Sequence, residues 1–388
     1  MLFKNVLVDE NLKRQLISLV KNNRISHAQL FLGQEGSHVF ALAVAYAQYI
    51  CCENPKEDDS CGVCPSCVKF SKLSHPDFHL IFPNCITKNV KKDPDSNQFA
   101  QEFKDFVFRK SYHISLEEWL KELGGENKQA SINIRDCSNI INQNNIRSFE
   151  GGYKIYLVWM VERLYHAAAP KLLKTLEEPE NKTLFILISE NSDKILATIL
   201  SRTQLIKIPP VSEENVKKQL MAEYNSPEEV AEDIAAISEG NYIRAVDLFL
   251  EKGELDLMLN YFELMFRSMI DYNRTPNNYA QIKFLEVQSM FSEIISKGRE
   301  SQKFFISFIL RMVRNILMMH ANNDVLVKAT ETESRLIAYF KSFITLKNAY
   351  FILNECNLAI YHIERNGNSA LIFSDLYLKI AQHLAPSN

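Results

Sequence analysis

Four cysteines in the first fifth of the chain have the spacing of a metal site. They follow the pattern C-x8-C-x2-C-x2-C within sixteen residues and are Cys52, Cys61, Cys64 and Cys67. Four thiolates at this spacing favour a tetrahedral zinc ion with no open coordination position, which is a structural site. Zinc binding contributes about 10–16 kcal/mol of folding free energy in zinc-finger peptides, so it can order a loop without a core. Cys51 is an adjacent alternative ligand, and free or disulfide-bonded cysteines are the competing interpretation.

A second stretch has the frame of a phosphate-binding loop. An apolar run that ends at Gly33 predicts a buried strand, and residues 41–49 predict the helix that follows. Such a loop requires Gly-x-x-x-x-Gly-Lys-Ser/Thr, because glycine lets N–H groups surround the phosphates, lysine reaches the terminal phosphates and the hydroxyl binds magnesium. The loop positions in this chain hold, in order, Gly33, Gln34, Glu35, Gly36, Ser37, His38, Val39 and Phe40.

The chemistry of this loop is therefore missing. Its second glycine, its lysine and its hydroxyl are a histidine, a valine and a phenylalanine. A charge-assisted hydrogen bond contributes roughly 1.5–3 kcal/mol, so loss of the lysine alone lowers nucleotide affinity about ten- to a hundredfold. We expect no ATP to be bound. An ordinary strand–turn–helix that never held phosphate is the alternative interpretation.

The degenerate loop and the helix that leads into the cysteine module together resemble the bacterial clamp-loader ATPases, which are AAA+ proteins. Two further strings repeat this family's most recognisable sequences: Leu-Leu-Lys-Thr-Leu-Glu-Glu-Pro at 172–179 and Ser-Arg at 201–202. The resemblance is close over 11–67 and 134–248. The carboxy-terminal third matches only in helical character. The family's cysteine spacing favours Cys52 over Cys51 as the first ligand.

The resemblance implies roles for residues in two other places. In active members a strand ends in Asp-Glu, which help to hold magnesium and prepare the attacking water. Counting back from the 172–179 string puts Trp159 and Met160 at these positions, and neither can bind a metal or accept a proton. Arg202, with Ser201 before it, matches the arginine finger that the family lends to a neighbour's ATP site. Thr203 departs from the family's Ser-Arg-Cys, and a surface or salt-bridged arginine is the alternative.

Composition and charge limit the class of protein. The chain has 388 residues, of which 46% are apolar and 23% charged, as in ordinary soluble proteins of two or three domains. A formal net charge of −3 provides no global basic field for nucleic acid. The amino terminus lacks a signal-peptide pattern, so we expect a reducing cytoplasm, where clustered cysteines indicate metal. The apolar run 304–319 is too short and too charged to span a membrane.

Buried strands and amphipathic helices must position the candidate residues. Apolar runs predict strands at 154–158 and 184–188, and alternation predicts a shorter strand within 75–83. Apolar spacing predicts a helix over 134–149, ended by the glycines at 151 and 152. Shorter helices are predicted at 195–200, 212–224 and 227–240, and from residue 251 onward the pattern is helical throughout.

Residues 84–130 depart from the pattern of the resembled family, which indicates an insertion. Its opening at 87–97 is polar, and apolar residues at helical spacing then predict two short amphipathic helices. Aromatic residues at that spacing are more often core than ligand-binding, and a partner-docking role is the alternative. The sequence does not indicate what the insertion does.

The predicted fold is an α/β AAA+ (P-loop NTPase-like) domain at 1–210, with an inserted zinc module at about 51–70 and the insertion at about 84–130. A small helical lid domain at 211–250 and an all-α collar domain at 251–388, which mediates oligomerisation, follow. The α/β part rests on alternating buried strands and helices with short connections. The lid and collar are implied by the resemblance.

The resemblance implies a non-hydrolysing stator subunit of the clamp loader of bacterial DNA polymerase III, with structural zinc as cofactor. Its partners would be motor (gamma/tau) subunits and a delta subunit, with the sliding clamp and primed DNA reached through the complex. We expect no membrane association and a monomeric isolated chain. Two alternatives remain open. One is an active ATPase with displaced residues such as Glu162, and the other is a stand-alone zinc-module nucleic-acid binder, against which the acidic stretch 53–59 argues.

Overall fold

Two compact units make up the chain in the computed structural model, Met1–Val246 and Asp247–Asn388. The structure describes residues 1–125, 128–250, 252–274, 278–321, 327 and 329–384. Parts of the predicted insertion and collar therefore lie outside the described residues, at 126–127, 251, 275–277, 322–326, 328 and 385–388. The predicted division into an α/β domain, a lid and a collar stays a prediction.

A five-stranded parallel sheet forms the centre of the first unit, in the order β2-β3-β4-β1-β5. Its strands are β1 (Ala28–Leu32), β2 (Phe78–Ile81), β3 (Lys154–Val158), β4 (Thr183–Ser189) and β5 (Gln204–Lys207). The predicted parallel α/β class and the first four strands are confirmed. The sequence analysis missed β5, a short edge strand in which only Ile206 is buried.

Helices of the first unit connect and cover these strands. They are α1 (Glu10–Lys21), α2 (Val39–Ile50), α3 (Pro65–Ser71), α4 (Ala100–Arg109), α5 (Leu116–Glu122), α6 (Ile134–Asn144), α7 (Ala169–Glu177), α8 (Ala197–Leu200), α9 (Glu213–Tyr224) and α10 (Glu228–Ser238). The next helix, α11 (Tyr242–Leu250), starts in the first unit and ends in the second. The helices predicted at 41–49, 195–200, 212–224 and 227–240 are present with boundaries shifted by one or two residues. The short helix α3, which starts inside the cysteine module, was not predicted.

The predicted helix over 134–149 is wrong in its length, because α6 ends at Asn144. The buried ammonium of Lys154 donates hydrogen bonds to the carbonyl oxygens of Gln143 at 2.7 Å and Asn144 at 3.3 Å, and to that of Ile146. These bonds satisfy carbonyls that a helix leaves free at its end. Ile146 and Phe149, whose spacing suggested further turns, are 66% and 83% exposed and bury no apolar face.

The two faces of the sheet are covered by different parts of the chain. Ile155 and Leu157 of β3 belong to a core shared with α1, α2 and the insertion, whereas Tyr156 and Val158 belong to a core shared with α6 and α7. This alternation follows from the period of two in a β-strand. The insertion and the helix after the phosphate-loop frame therefore pack on the same face.

The two short helices predicted within the insertion are confirmed as α4 and α5. Phe103, Phe106 and Trp119 are at most 1% exposed and join the core on the α2 face. The indole N–H of Trp119 donates a hydrogen bond to the carbonyl oxygen of Pro83 at 2.8 Å, which satisfies its buried polar atom. The insertion is thus part of the first unit's core.

The described part of the second unit consists of helices, as predicted. They are α12 (Lys252–Arg274), α13 (Asn278–Ser296), α14 (Arg299–His320), α15 (Glu331–Phe340), α16 (Leu346–Glu364) and α17 (Ser369–His383). Their apolar faces form one core, in which Arg311 of α14 makes a bidentate ion pair with Glu333 of α15. Over the residues that the structure describes, no helix is long and apolar enough to cross a bilayer.

Candidate functional site

The four predicted metal ligands converge in the structure. The Sγ atoms of Cys52, Cys61, Cys64 and Cys67 all lie within 4.8 Å of one another. Four sulfurs about 2.3 Å from a tetrahedral zinc would be about 3.8 Å apart, and the Sγ atoms of Cys61 and Cys67 are 3.9 Å apart. The Sγ of Cys51 instead points at the carbonyl oxygen of Tyr153, 3.9 Å away, and is not in the cluster. The cluster is positioned to bind a metal ion and is compatible with zinc.

Backbone hydrogen bonds reach three of the four sulfurs, whereas burial raises the pKa of Cys52 and of Cys67. The amides of Cys61, Cys64 and Cys67 donate to the Sγ atoms of Cys52, Cys61 and Cys64 at 3.3, 3.3 and 3.4 Å. Hydrogen bonds from the amides of Val63 and Cys64 lower the pKa of Cys61 to about 6. Cys64 also caps the start of α3. A thiolate donor set with no carboxylate or water ligand suits zinc in a structural role.

The module is attached to the body of the first unit by a buried carboxylate. Asp59, which the sequence analysis counted in an acidic stretch, is 9% exposed. Its two oxygens accept hydrogen bonds from the backbone amides of Phe3 and Lys4, at 3.0 and 3.1 Å. Asp59 therefore holds the amino-terminal segment against the module.

The phosphate-loop frame lies at the carboxyl edge of the sheet, where open α/β sheets bind ligands. The loop leaves β1 at Gly33, whose amide donates to the carbonyl oxygen of Ser189 at the end of β4. Trp159 and Met160 follow β3 at the same edge and are 2% and 4% exposed. The structure thus brings together the two sets of positions that the sequence analysis assigned to the nucleotide motifs.

Histidine occupies the position of the loop's second glycine and keeps the backbone shape of glycine. His38 has a φ of +59°, in the left-handed region that side chains rarely adopt. Its Nδ1 accepts a hydrogen bond from the amide of Leu7 at 3.1 Å. Its ring lies 4.1 Å from the ring of His113 and 5.3 Å from that of Tyr242, measured between centroids.

His38 and His113 are both neutral at neutral pH. Burial, followed by the proximity of His113 and Lys13, lowers the pKa of His38 well below its usual value. Burial lowers the pKa of His113 to about 4. These two histidines therefore present no positive charge to a phosphate at neutral pH, unlike the lysine of a functional phosphate-binding loop.

Carboxylates near the loop are also poorly suited to bind magnesium. Burial and the proximity of Glu35 and Glu162 raise the pKa of Glu190 to about 8, so it is largely protonated at neutral pH. The Oε1 atom of Glu162, the displaced carboxylate of the ATPase alternative, accepts a hydrogen bond from the amide of Glu190 at 2.9 Å. This bond engages one oxygen of Glu162, whereas its Oε2 is buried without a hydrogen-bond partner among the described residues.

The cavity left at the phosphate loop is small. Its volume is about 30 Å³, whereas pockets for small-molecule ligands are typically about 300–1,000 Å³. The lining includes the loop itself, Trp159 and Glu190, together with residues 112–114 of the insertion. Phe40 and Trp159, which replace the hydroxyl and the aspartate, lie with ring centroids 6.3 Å apart.

Arg202 lies apart from this cavity, on the surface just after α8. Its side chain is 36% exposed, and its Nε donates a hydrogen bond to the Glu177 carboxylate at 2.5 Å. Its Nη1 donates to the carbonyl oxygen of Thr198 and to the hydroxyl of Ser201, at 3.0 and 3.2 Å. The two strings identified by sequence, at 172–179 and 201–202, are therefore joined by one ion pair.

Sequence reasoning missed the residues that close the loop from a distance. His113 and Tyr112 come from the connection between α4 and α5, and Tyr242 comes from the start of α11. Neither Tyr112 nor His113 stands in a motif, and the helical periodicity that revealed α4 and α5 carries no information about the turn between them. Ser111 and Tyr112 have positive φ values of +48° and +68°. Serine and tyrosine do not favour this backbone conformation, so the sequence does not predict it.

The fold and the site define a class of protein. A parallel sheet, with a glycine-containing turn between its interior strand β1 and the helix α2, is the frame of P-loop nucleotide hydrolases. A family model described as DNA polymerase III, delta subunit, matches residues 8–212, just over half of the chain. Curated relatives that match about half of the chain carry the name DNA polymerase III subunit delta'. The chain belongs to the delta-prime family of DNA polymerase III.

Individual relatives are distant. The chain is 25% identical to subunit delta' of Bacillus subtilis (strain 168) over 55% of this chain and 51% of the relative. It is 31% identical to that of Haemophilus influenzae over 48% of this chain and 44% of the relative. The chain thus spans about half the length of the curated relatives it matches. A solved gamma subunit-related protein of DNA polymerase III from Thermotoga maritima aligns with 96% of this chain and 99% of its own, at 14% identity and a TM-score of 0.39.

Proposed function

We propose that this chain is a non-hydrolysing delta-prime (stator) subunit of the bacterial DNA polymerase III clamp loader. The observation that carries the proposal is the closed nucleotide site: a phosphate-loop frame whose cavity has a volume of only about 30 Å³. Membership of the delta-prime family supports the assignment to this complex. The chain then contributes structure and an arginine to the assembly, and its motor subunits contribute ATP hydrolysis.

The residue types at the nucleotide motifs support the absence of hydrolysis. Val39 and Phe40 cannot pair with phosphate or bind magnesium, and Trp159 and Met160 cannot hold a metal or activate water. All four side chains are at most 6% exposed and are part of the apolar core. Mg-ATP turnover by the isolated chain would favour the alternative of a displaced active site, which depends on Glu162.

Arg202 is the residue that we propose acts on ATP, in the site of a neighbouring motor subunit. A guanidinium is always charged, and it can stabilise charge that develops on a transferring phosphoryl group. The ion pair with Glu177 orients it in the isolated chain, with both side chains more than a third exposed. Exposed pairs of this kind contribute only about 0–1 kcal/mol, so the arginine can exchange the carboxylate for a phosphate at little cost.

The other partners and the cofactor follow from the same assignment. Motor (gamma/tau) and delta subunits would complete the complex, which would act on the sliding clamp and primed DNA. Zinc would hold the cysteine module as a structural ion. The stand-alone nucleic-acid binder is a weaker candidate, because the stretch between the cysteines is net acidic and would repel phosphate. Salt-sensitive DNA binding by the isolated chain would favour it.

Reconstituted ATP turnover tests the proposal. Motor and delta subunits from the same organism are mixed with the clamp, primed DNA and this chain, either as wild type or as Arg202→Ala. We expect both forms to assemble on gel filtration. At the motor site served by this chain, Arg202→Ala should lower turnover by roughly a thousandfold or more, so total turnover falls by that site's share.

Two controls make the result specific. Lys207→Ala removes an exposed cation from the nearby strand β5 and should leave turnover unchanged. Arg202→Lys keeps the charge but loses the planar fork, so turnover should stay well below that of the wild type. Equal turnover by wild type and Arg202→Ala in an intact complex would reject the finger. Failure of the wild-type chain to assemble at all would reject the clamp-loader role.

A further inference from the structure

The connection between the two helices of the insertion reaches the phosphate loop. Ser111 and Tyr112 both have positive φ values, an uncommon conformation for residues with side chains, and two in succession form a tight turn. The turn directs the ring of His113 onto that of His38, with centroids 4.1 Å apart. The ring of Tyr112 lies 6.5 Å from that of Phe40, at the position where a phosphate loop carries its hydroxyl.

The body of the insertion packs on the residues that replaced the nucleotide chemistry. The ring of Phe103 lies 6.1 Å from that of Phe40 and 5.6 Å from that of Trp159. Trp119 in turn lies 5.0 Å from Phe103, edge to face. Phe40 and Trp159 therefore have a positive role in this chain: they form the apolar surface that the insertion covers.

A third segment, at the start of α11, closes the loop from the other side. The amide of Tyr242 donates a hydrogen bond to the carbonyl oxygen of Gly36 at 3.1 Å, and its ring lies 4.6 Å from that of His113. The hydroxyl of Tyr242 donates to Glu223 of α9 at 2.7 Å. Gly36 has no space for a side chain, because a Cβ there would lie 2.0 Å from the Oδ1 of Asn241.

Residues 112–114 line the cavity at the phosphate loop, which is where a P-loop protein holds its nucleotide. The contacts described above connect the loop, the insertion and the start of α11. We propose that the turn at residues 111–114 is an internal ligand of the degenerate phosphate loop. It fills the place of the nucleotide and holds the start of α11 against the loop in one fixed arrangement.

This inference gives the insertion a function and explains why loss of the nucleotide chemistry does not leave an open cleft. An empty phosphate loop would expose backbone N–H groups and apolar side chains and would be free to move. The insertion instead packs on the apolar side chains of Phe40 and Trp159, so that the first unit keeps one arrangement regardless of ATP. The inference rests on the proposed function only for the identity of the site as a former nucleotide site.

Hydrogen exchange of backbone amides in the full-length isolated chain tests the inference. The double variant Tyr112→Ala/His113→Ala removes both rings of the turn. We expect amides of residues 34–40, and the amide of Tyr242 that bonds Gly36, to exchange at least tenfold faster than in the wild type. Amides of β3 should exchange at the wild-type rate, because the sheet does not depend on the turn.

A matched control comes from the same insertion. Arg109→Ala removes an exposed ion pair with Glu122, 2.9 Å long, on α4 and leaves the turn intact, so exchange at 34–40 and at Tyr242 should not change. If the double variant loosens β3 as much as the loop, His113→Ala alone carries the test, because it keeps Tyr112 in the core. Exchange at 34–40 and Tyr242 that stays at the wild-type rate in a folded variant would overturn the proposal.

The outcome is separate from that of the ATP turnover test. No partner subunit, clamp, DNA or nucleotide is present in the exchange measurement. Unchanged exchange in the variant would reject the proposal that the turn is an internal ligand, but it would not affect the proposed clamp-loader role. A failed reconstitution would remove that role, and faster exchange in the variant would still show that the turn keeps the loop closed.

Discussion

At the scale of single residues, this chain has apolar or aromatic side chains at positions where the resembled ATPases have catalytic or phosphate-binding groups. His38 takes the left-handed backbone conformation of a glycine, and Phe40 and Trp159 occupy the positions of a hydroxyl and a carboxylate. The sequence was sufficient to predict these replacements, because they depend on spacing along the chain. It was equally sufficient for the four cysteines, whose short separations leave few other geometries.

Replacement of single cysteines should distinguish the four metal ligands from the adjacent Cys51. Cys64→Ser should lose the bound zinc, because serine is a poor zinc ligand and Cys64 also caps α3. Cys51→Ser is the matched control and should retain about one zinc per chain, since its sulfur lies outside the cluster. Metal analysis together with thiol titration measures both. Zinc-free, folded wild-type protein would contradict the assignment of the site.

Loss of zinc should also loosen the amino terminus. The module has little apolar core, so its order depends on the metal. Asp59, held within the module, bonds the amides of Phe3 and Lys4, and Cys64→Ser should release them. Exchange of these two amides should therefore increase in Cys64→Ser and not in Cys51→Ser. Protection that persists without zinc would show that the module folds by packing alone.

At the scale of elements, the sequence was reliable where apolar periodicity reflected burial and unreliable where it did not. β3 and β4, which are buried on both faces, were predicted to within a residue or so. β5 was missed because three of its four residues are exposed, so it has no apolar run. α6 was predicted too long because Ile146 and Phe149 match helical spacing but face solvent, and because Lys154 binds its last carbonyls from ten residues away.

The insertion should behave as core and not as a surface loop. Trp119→Ala removes a fully buried indole, which contacts Phe82, Phe103 and Phe106, and should lower the free energy of unfolding by about 3–5 kcal/mol. Phe108→Ala, on the outer side of α4 and 39% exposed, should cost less than about 1 kcal/mol. Urea denaturation of the full chain measures the difference. Similar small losses for both variants would show that the insertion folds independently of the core.

At the scale of the whole molecule, the surroundings of the phosphate loop depend on contacts between distant parts of the first unit. Leu7, His113 and Tyr242 approach His38 from three segments, up to about two hundred residues apart in the chain. Motif spacing predicts which chemistry is lost, but it cannot show what fills the space. The resemblance to clamp-loader ATPases led to the correct family, and apolar patterns led to four of the five strands, whereas the packing of the insertion on the phosphate loop required the structure.

Restoring the phosphate loop should not restore nucleotide binding while the insertion stays in place. In the triple variant His38→Gly, Val39→Lys, Phe40→Thr the motif is complete, yet the turn at 111–114 still occupies the cavity. A ligand at a hundred times its Kd stabilises a protein by about 2.7 kcal/mol, which raises its Tm by several degrees. We expect millimolar Mg-ATP to leave the Tm of the triple variant unchanged. Adding Tyr112→Ala and His113→Ala should produce a rise, because the cavity is then open. A nucleotide-dependent rise in the triple variant alone would mean that the loop's own substitutions, and not the insertion, are what keep ATP out.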